Sequence, residues 1–234
     1  ALFALILLFI LLIFRLQRYR IRVREEMGRQ MATLQMKAIK NQLDPHFTLN
    51  VLNSIGSLYA SEGSREQADY IFGKYARLIR ETVISSDQII IPLADEMEFI
   101  KNYIDLERFR CNDAFSYKIE TDPDIDLQKK IPRMLIHTFV ENSIKHGLKD
   151  SSGNGVLKIS VRNEPGRLII NIEDNNSDSG KKHELSTGKG LTIIKELIDL
   201  YFRLEKVQIV FSLDPILSDS DQMTGRIVQI VIPG

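Results

Sequence analysis

Fourteen apolar residues open the chain, ALFALILLFILLIF from Ala1 to Phe14, and no charge interrupts them. No other segment constrains the fold so strongly, because a run of this kind must be hidden from water in a protein core or a lipid bilayer. As a helix it extends roughly 21 Å at about 1.5 Å per residue, against about 30 Å for a bilayer core. A buried core helix and a signal-peptide remnant both fit that length. Two details favour the cytoplasmic end of a truncated membrane span. The chain starts on Ala rather than Met, and Arg15, Arg18, Arg20, Arg22 and Arg24 follow at once. Basic residues just beyond an apolar helix mark its cytosolic flank. The expectation is an inner-membrane anchor over 1–14, with the rest of the chain in the cytoplasm.

The 234 residues, 44% hydrophobic and 26% charged, suffice for one large folded domain or two small ones and exclude a disordered chain. Thirty-one basic residues balance thirty-one acidic ones, so there is no long-range field to hold nucleic acid. The single cysteine, Cys111, excludes an internal disulfide and a Cys-rich zinc site.

After the arginines, Met27, Met31, Leu34 and Ala38 recur at spacings of four, three and four, the seam of a coiled coil. Residues 15–43 therefore read as a basic juxtamembrane and coiled-coil linker. Pro45 lacks an amide hydrogen and restarts the helix, placing His46 in its first turn with Asn50 and Asn53 on the same face. Leu49, Leu52, Ile55 and Tyr59 are the expected apolar face. SEGSREQ, from Ser61 to Gln67, offers caps and a glycine for a tight turn. Ala68, Ile71, Tyr75, Leu78, Ile79 and Thr82 then repeat at helical spacing. Two amphipathic helices cannot close a core alone, whereas two copies make a four-helix bundle, so 44–88 reads as a dimerising hairpin.

The pattern changes near Ile89. A helix from about Ala94 to Arg110, a strand from Phe115 to Thr121, and a helix from Pro132 at its N1 position to Gly147 are expected. From Val156 to Asp174 apolar residues alternate on either side of Glu164, Pro165 and Gly166, a hairpin signal that leaves Asp174 at a strand end. A helix opened by Gly188 and Gly190 and two closing strands, VQIVFSL and GRIVQIVI, complete 89–234 as an α+β unit with an antiparallel sheet.

Four segments in this order carry a resemblance. DPHFTLNVLNSI resembles the phosphoacceptor box of LytS-type sensor histidine kinases, IPLADEMEFIKNYIDLERFR their linking helix, IPRMLIHTFVENSIKHGL their N box and STGKGLTIIKELIDLYF their second glycine box. The resemblance covers about residues 30–234. It implies a dimeric phosphotransfer hairpin followed by an ATP-binding α/β sandwich of the Bergerat type, the fold of gyrase, Hsp90, these kinases and MutL.

The resemblance makes His46 the phosphoacceptor. An imidazole with one unprotonated nitrogen is a competent nucleophile, and a pKa near 6.5 makes that form available at neutral pH. Asn50, one turn on, is placed to orient the ring. The general base is left open, with Asp44 the nearby carboxylate. Asn142 is implied as the Mg²⁺ ligand, since an amide oxygen suits a hard cation shared with phosphates. Lys145 and His146 are its implied neighbours at the nucleotide, although a structural hydrogen bond is the commoner fate of His146 and of His137, which stands where the family usually has Gln. Glu141 is implied to position metal or water, with a plain salt bridge the alternative.

Asp174 resembles the acid that accepts the adenine exocyclic amine. There the sequence departs from its family: the usual Asp-x-Gly-x-Gly reads DNNSD, with Asn176 and Asp178 in place of the glycines and Gly180 two positions late. Asn tolerates left-handed backbone, while Asp178 brings negative charge near phosphates. Gly188, Lys189, Gly190 and Leu191 open a helix whose amides would face phosphate oxygens. The implied function is ATP-dependent autophosphorylation of His46 and transfer to a response-regulator aspartate. A catalytically weak dimeric scaffold and an ATPase without phosphotransfer are the alternatives.

Overall fold

The computed structural model describes residues 2–42, 45–84, 88–149, 153–175, 189–217 and 223–234. One helix, α1, runs from Leu2 to Gln42 through both the apolar run and the arginine-rich segment. Among the described residues no helix is long and apolar enough to cross a membrane, so the expectation of a span remnant over 1–14 is not confirmed. The reason is the length of the apolar stretch: Phe14 ends it and Arg15 begins the charge. The side chains of Met27, Met31, Leu34 and Ala38 lie outside the described residues, and so does the expected seam.

Helices α2 (Pro45–Ala60) and α3 (Arg65–Ile84) form the hairpin, joined by the turn at Ser61–Ser64. Gly63 takes φ 81° there, a conformation a side chain would resist. Ala68, Ile71, Tyr75, Leu78 and Thr82 of α3 are buried as their spacing suggested. On α2 the inward face differs from the one expected. Phe47, Val51 and Ile55 are buried, whereas Leu49, Leu52 and Tyr59 are exposed. The helix is apolar on two sides, and periodicity alone does not choose between them.

Strand β1 (Ile90–Pro92) leads into α4 (Leu93–Arg110), followed by β2 (Phe115–Thr121) and β3 (Lys130–Pro132). Pro132 is thus the last residue of a strand rather than a helix N1, because β3 pairs antiparallel with β1, Ile90 opposite Pro132. Helix α5 starts only at His137, runs to Ser143 and continues as a π-helical turn over Ile144–Leu148, closed by the amide of Lys149 donating to the Ile144 carbonyl at 3.1 Å.

The main sheet holds β4 (Gly155–Glu164), β5 (Arg167–Asp174), β6 (Val210–Leu217) and β7 (Met223–Pro233) with β2, in the order β2-β4-β5-β7-β6. It is mixed, not wholly antiparallel: β2 pairs parallel to β4. Leu157, Ile159 and Val161 of β4, Leu168, Ile170 and Ile172 of β5, and Val228, Ile230 and Ile232 of β7 share the face packed on the helices. Against it lie α4, α5 and α6 (Lys189–Glu205), the last through Ile194, Leu197, Ile198 and Tyr201 at i, i+3, i+4 and i+7.

Polar and aromatic contacts seat the hairpin on this unit. Asp105 of α4 accepts hydrogen bonds from Lys74 of α3 at 2.5 Å and from the Tyr117 hydroxyl of β2 at 2.7 Å. Phe47, the residue after His46, meets the Tyr103 ring at 5.6 Å, and Tyr103 meets His137 edge-on at 4.6 Å. Phe99 contacts the other side of His137 at 5.1 Å. An aromatic chain therefore joins the helix bearing His46 to the first residue of α5.

Burial among these rings lowers the His137 pKa to about 4; Glu141 opposes the shift, while Lys145 and Arg133 add to it. Burial in the fold disfavours the charged imidazole, so the stability this group contributes is full above the unfolded value of about 6.5 and falls as the pH drops toward 4. At 1.36 kcal/mol per unit, the loss is about 2 kcal/mol by roughly pH 5. Urea midpoints measured at pH 7 and pH 5 should show this loss in the native chain and its absence in His137→Gln. Equal acid sensitivity of the two would contradict it.

Candidate functional site

The N-box helix begins in a turn that the local sequence does not favour. Met134 takes φ 65°, a left-handed conformation costly for a long side chain. What holds it is Glu96 of α4, a buried carboxylate. Its Oε2 accepts the Met134 amide at 3.0 Å, and its Oε1 accepts the amides of Ile136 at 3.2 Å and His137 at 3.1 Å. A side chain from another helix thus caps α5, satisfying amides that would otherwise be buried without partners. Burial raises the Glu96 pKa, while the three amides and Arg133 pull it down. Arg133, also buried, donates from Nη2 to the Glu81 carbonyl of α3 at 3.0 Å. The turn is therefore fastened to the hairpin as well as to α4.

From this start α5 carries Glu141 and Asn142. Glu141 is buried and pairs with Lys145 one turn later, Nζ to Oε1 at 2.7 Å, while Asn142 is half-buried. The acid thus holds the ammonium in place. The π-helical turn carries Lys145, and such a turn inserts one residue and rotates the side chains after it. Gly190 comes close to α5: a Cβ there would stand 3.3 Å from the Thr138 methyl. Leu191, half-buried, packs against the core. The N box and the opening of α6 therefore meet at Thr138 and Gly190.

Asp174 ends β5 on the helix-covered face and is 4% exposed. Across the strands Arg226 of β7 is its register partner, with Nε 3.5 Å from Oδ1. Asn175, next in the chain, is a structural clamp: its Oδ1 accepts the Val156 amide at 2.7 Å and its Nδ2 donates to the Asn154 carbonyl at 2.8 Å. Asn50 is exposed on α2, its carbonyl accepting from Ser54. Gly180 and Gly188 lie outside the described residues, as do Asn176, Asp178 and the side chains of His46, His146 and Lys189. Among the described residues no three His, Cys, Asp or Glu side chains group around a metal position.

Sequence reasoning missed Glu96 and Arg226. Both carried a signal: each is a charged residue at an inward position, Glu96 on the stripe of Leu93, Ile100 and Tyr103, and Arg226 in the alternation of Val228, Ile230 and Ile232.

Residues 34–115 match the model of the histidine kinase family. The LytS sensor protein of Oceanobacillus iheyensis is 29% identical over 151 residues, 64% of this chain and 25% of that protein. The sensor histidine kinase YpdA of Escherichia coli K12 is 31% identical over 152 residues, 64% of this chain and 26% of that protein. The chain spans about a quarter of the length of these relatives. Among solved structures, the Acinetobacter baumannii histidine kinase AdeS superposes with a TM-score of 0.43 at 15% identity, covering 73% of this chain and 80% of that one, a likeness too loose to carry weight. The family match and the LytS relatives establish what the four boxes suggested: the chain is similar to the LytS-type sensor histidine kinases.

Proposed function

We propose that this chain is the catalytic part of a membrane-anchored, homodimeric sensor kinase that transfers the γ-phosphoryl group of ATP to His46 and from there to a response-regulator aspartate. The observation that carries the reading is the position of α5, which packs at once on β5, the strand ending in Asp174, and on α6, the helix opened by Gly190. The base-reading acid, the phosphate-facing N box and the glycine-opened helix thus sit around one helix. Dimerisation is supported by the apolar side chains a single chain leaves in water, Leu49, Leu52 and Tyr59 on α2 and Phe72 on α3. The arginines after Phe14 would fix the topology at a cytoplasmic membrane surface.

In this reading Asp174 accepts the exocyclic amine of adenine, and Asn142 holds Mg²⁺ by its amide oxygen. Bound there, the cation would neutralise charge on the β- and γ-phosphates. Lys145, held by Glu141, presents its ammonium to the phosphates. The Gly190 and Leu191 amides, at a helix N-terminus, face the same anions. An unprotonated imidazole nitrogen of His46 attacks the γ-phosphorus. The N–P bond forms as the bond from phosphorus to the bridging oxygen breaks, and ADP leaves with that electron pair. A dimeric scaffold of low activity is the second reading, favoured by the DNNSD segment in which the glycines are replaced.

In the full chain, His46→Gln should lose acid-labile, base-stable label from γ-labelled ATP by roughly a hundredfold or more while nucleotide affinity stays within about twofold. Label persisting on the variant would refute the acceptor. Asp174→Asn should weaken ATP by roughly ten- to a hundredfold, since it sets a donor against the adenine amine. Calorimetry showing unchanged affinity would contradict the base-reading role, and a native chain that binds ATP yet never labels His46 would favour the scaffold.

A further inference from the structure

The Asp174 carboxylate is not alone on its face of the sheet. Asp174 and Arg226 are register partners in an antiparallel pair, so both side chains project toward the helices, in the rows that hold Ile172 and Val228. The two strands approach unusually closely beside them: a Cβ on Gly225 would lie 2.2 Å from the Asp174 carbonyl oxygen. No side chain fits at 225, and the glycine holds Arg226 beside the carboxylate. Arg226 Nε and Nη2 are buried, yet neither has a hydrogen-bond partner, the Nε resting 3.5 Å from Asp174 Oδ1 without donating to it. Buried guanidinium N–H groups are ordinarily satisfied, because each one left unpaired costs the desolvation of a charged donor. This guanidinium therefore has donors to offer at the point where a base is read.

The rest follows from the edge of the base. Adenine presents a donor, the exocyclic amine at N6, next to an acceptor, the ring nitrogen N1. A carboxylate beside a guanidinium presents an acceptor next to a donor, the complementary pair. We propose that Arg226 is a specificity-determining residue of the nucleotide site, donating an N–H to N1 of adenine while Asp174 accepts from N6. The assignment rests on the nucleotide reading above. It also gives the ion pair a use: Arg226 orients the buried Asp174 carboxylate before the base arrives, and the base then takes the donors the arginine has spare.

The test pairs a residue with a single ligand atom. ADP and 1-deaza-ADP, in which N1 is replaced by C–H, are titrated calorimetrically with Mg²⁺ into the full chain and into Arg226→Met and Arg226→Gln, each variant first checked for a cooperative urea transition. The native chain should bind ADP at least tenfold more tightly than the deaza analogue. Arg226→Met should bind both within twofold, and Arg226→Gln, which retains an N–H donor, should keep threefold discrimination or more. Equal binding of the two ligands by the native chain would overturn the assignment while leaving the nucleotide site intact. So would tenfold discrimination that survives in Arg226→Met, or a preference for GDP over ADP in the native chain. No binding of ADP by the native chain would overturn the nucleotide site and this assignment together.

Discussion

One buried carboxylate organises the α/β half of the molecule. Glu96 accepts three amides from the turn between β3 and α5, and those bonds allow Met134 its left-handed backbone and fix the direction in which α5 leaves. Everything proposed for the nucleotide depends on that direction, since Asn142, Glu141 and Lys145 all lie along α5 and its π-helical continuation. A local cap of the Ser or Asp kind would have started the helix from its own sequence. Here the cap comes from α4, so the N box and the linking helix are one mechanical unit. Three unpaired amides, at about 1–3 kcal/mol each, would cost more than most single contacts in a domain of this size contribute.

The same helix carries the link to the hairpin. Tyr103 touches Phe47 on α2 and His137 on α5, Asp105 binds Lys74 on α3, and Arg133 reaches from the N-box turn to the Glu81 carbonyl. Movement of the hairpin relative to the sheet would therefore have to break contacts at the residue beside His46 and at the first residue of α5 together.

Much of this was legible in the sequence. The alternation from Val156 to Asp174 gave the β4–β5 hairpin and its turn because period-two burial is a local property, and Asp174 fell at the strand end where it was expected. Three things were not legible, each for a nonlocal reason. Pro132 reads as a helix start until β1, forty residues earlier, claims it as a strand partner. Leu49, Leu52 and Tyr59 are as apolar as Phe47, Val51 and Ile55, and the packing of α3 and α4 on α2 decides which row is buried within one chain. The π-helical turn after Ser143 has no distinctive residue. The acid on the α4 stripe and the arginine on the inner row of β7 are different: each breaks the apolar pattern that defines its element, and such a break marks a residue retained for its charge.

The central claim is that Glu96 holds the N box in the geometry that binds nucleotide, and Glu96→Gln tests it most directly. The amide retains one acceptor oxygen and sets a donor against the amides of the turn, so the chain should still unfold cooperatively, at a urea midpoint lowered by about 1–3 kcal/mol of stability. Its affinity for ATP with Mg²⁺, measured by calorimetry on the folded variant, should fall at least tenfold. An unchanged affinity in a variant destabilised by that amount would contradict the account, since the cap would then support the fold without setting the site.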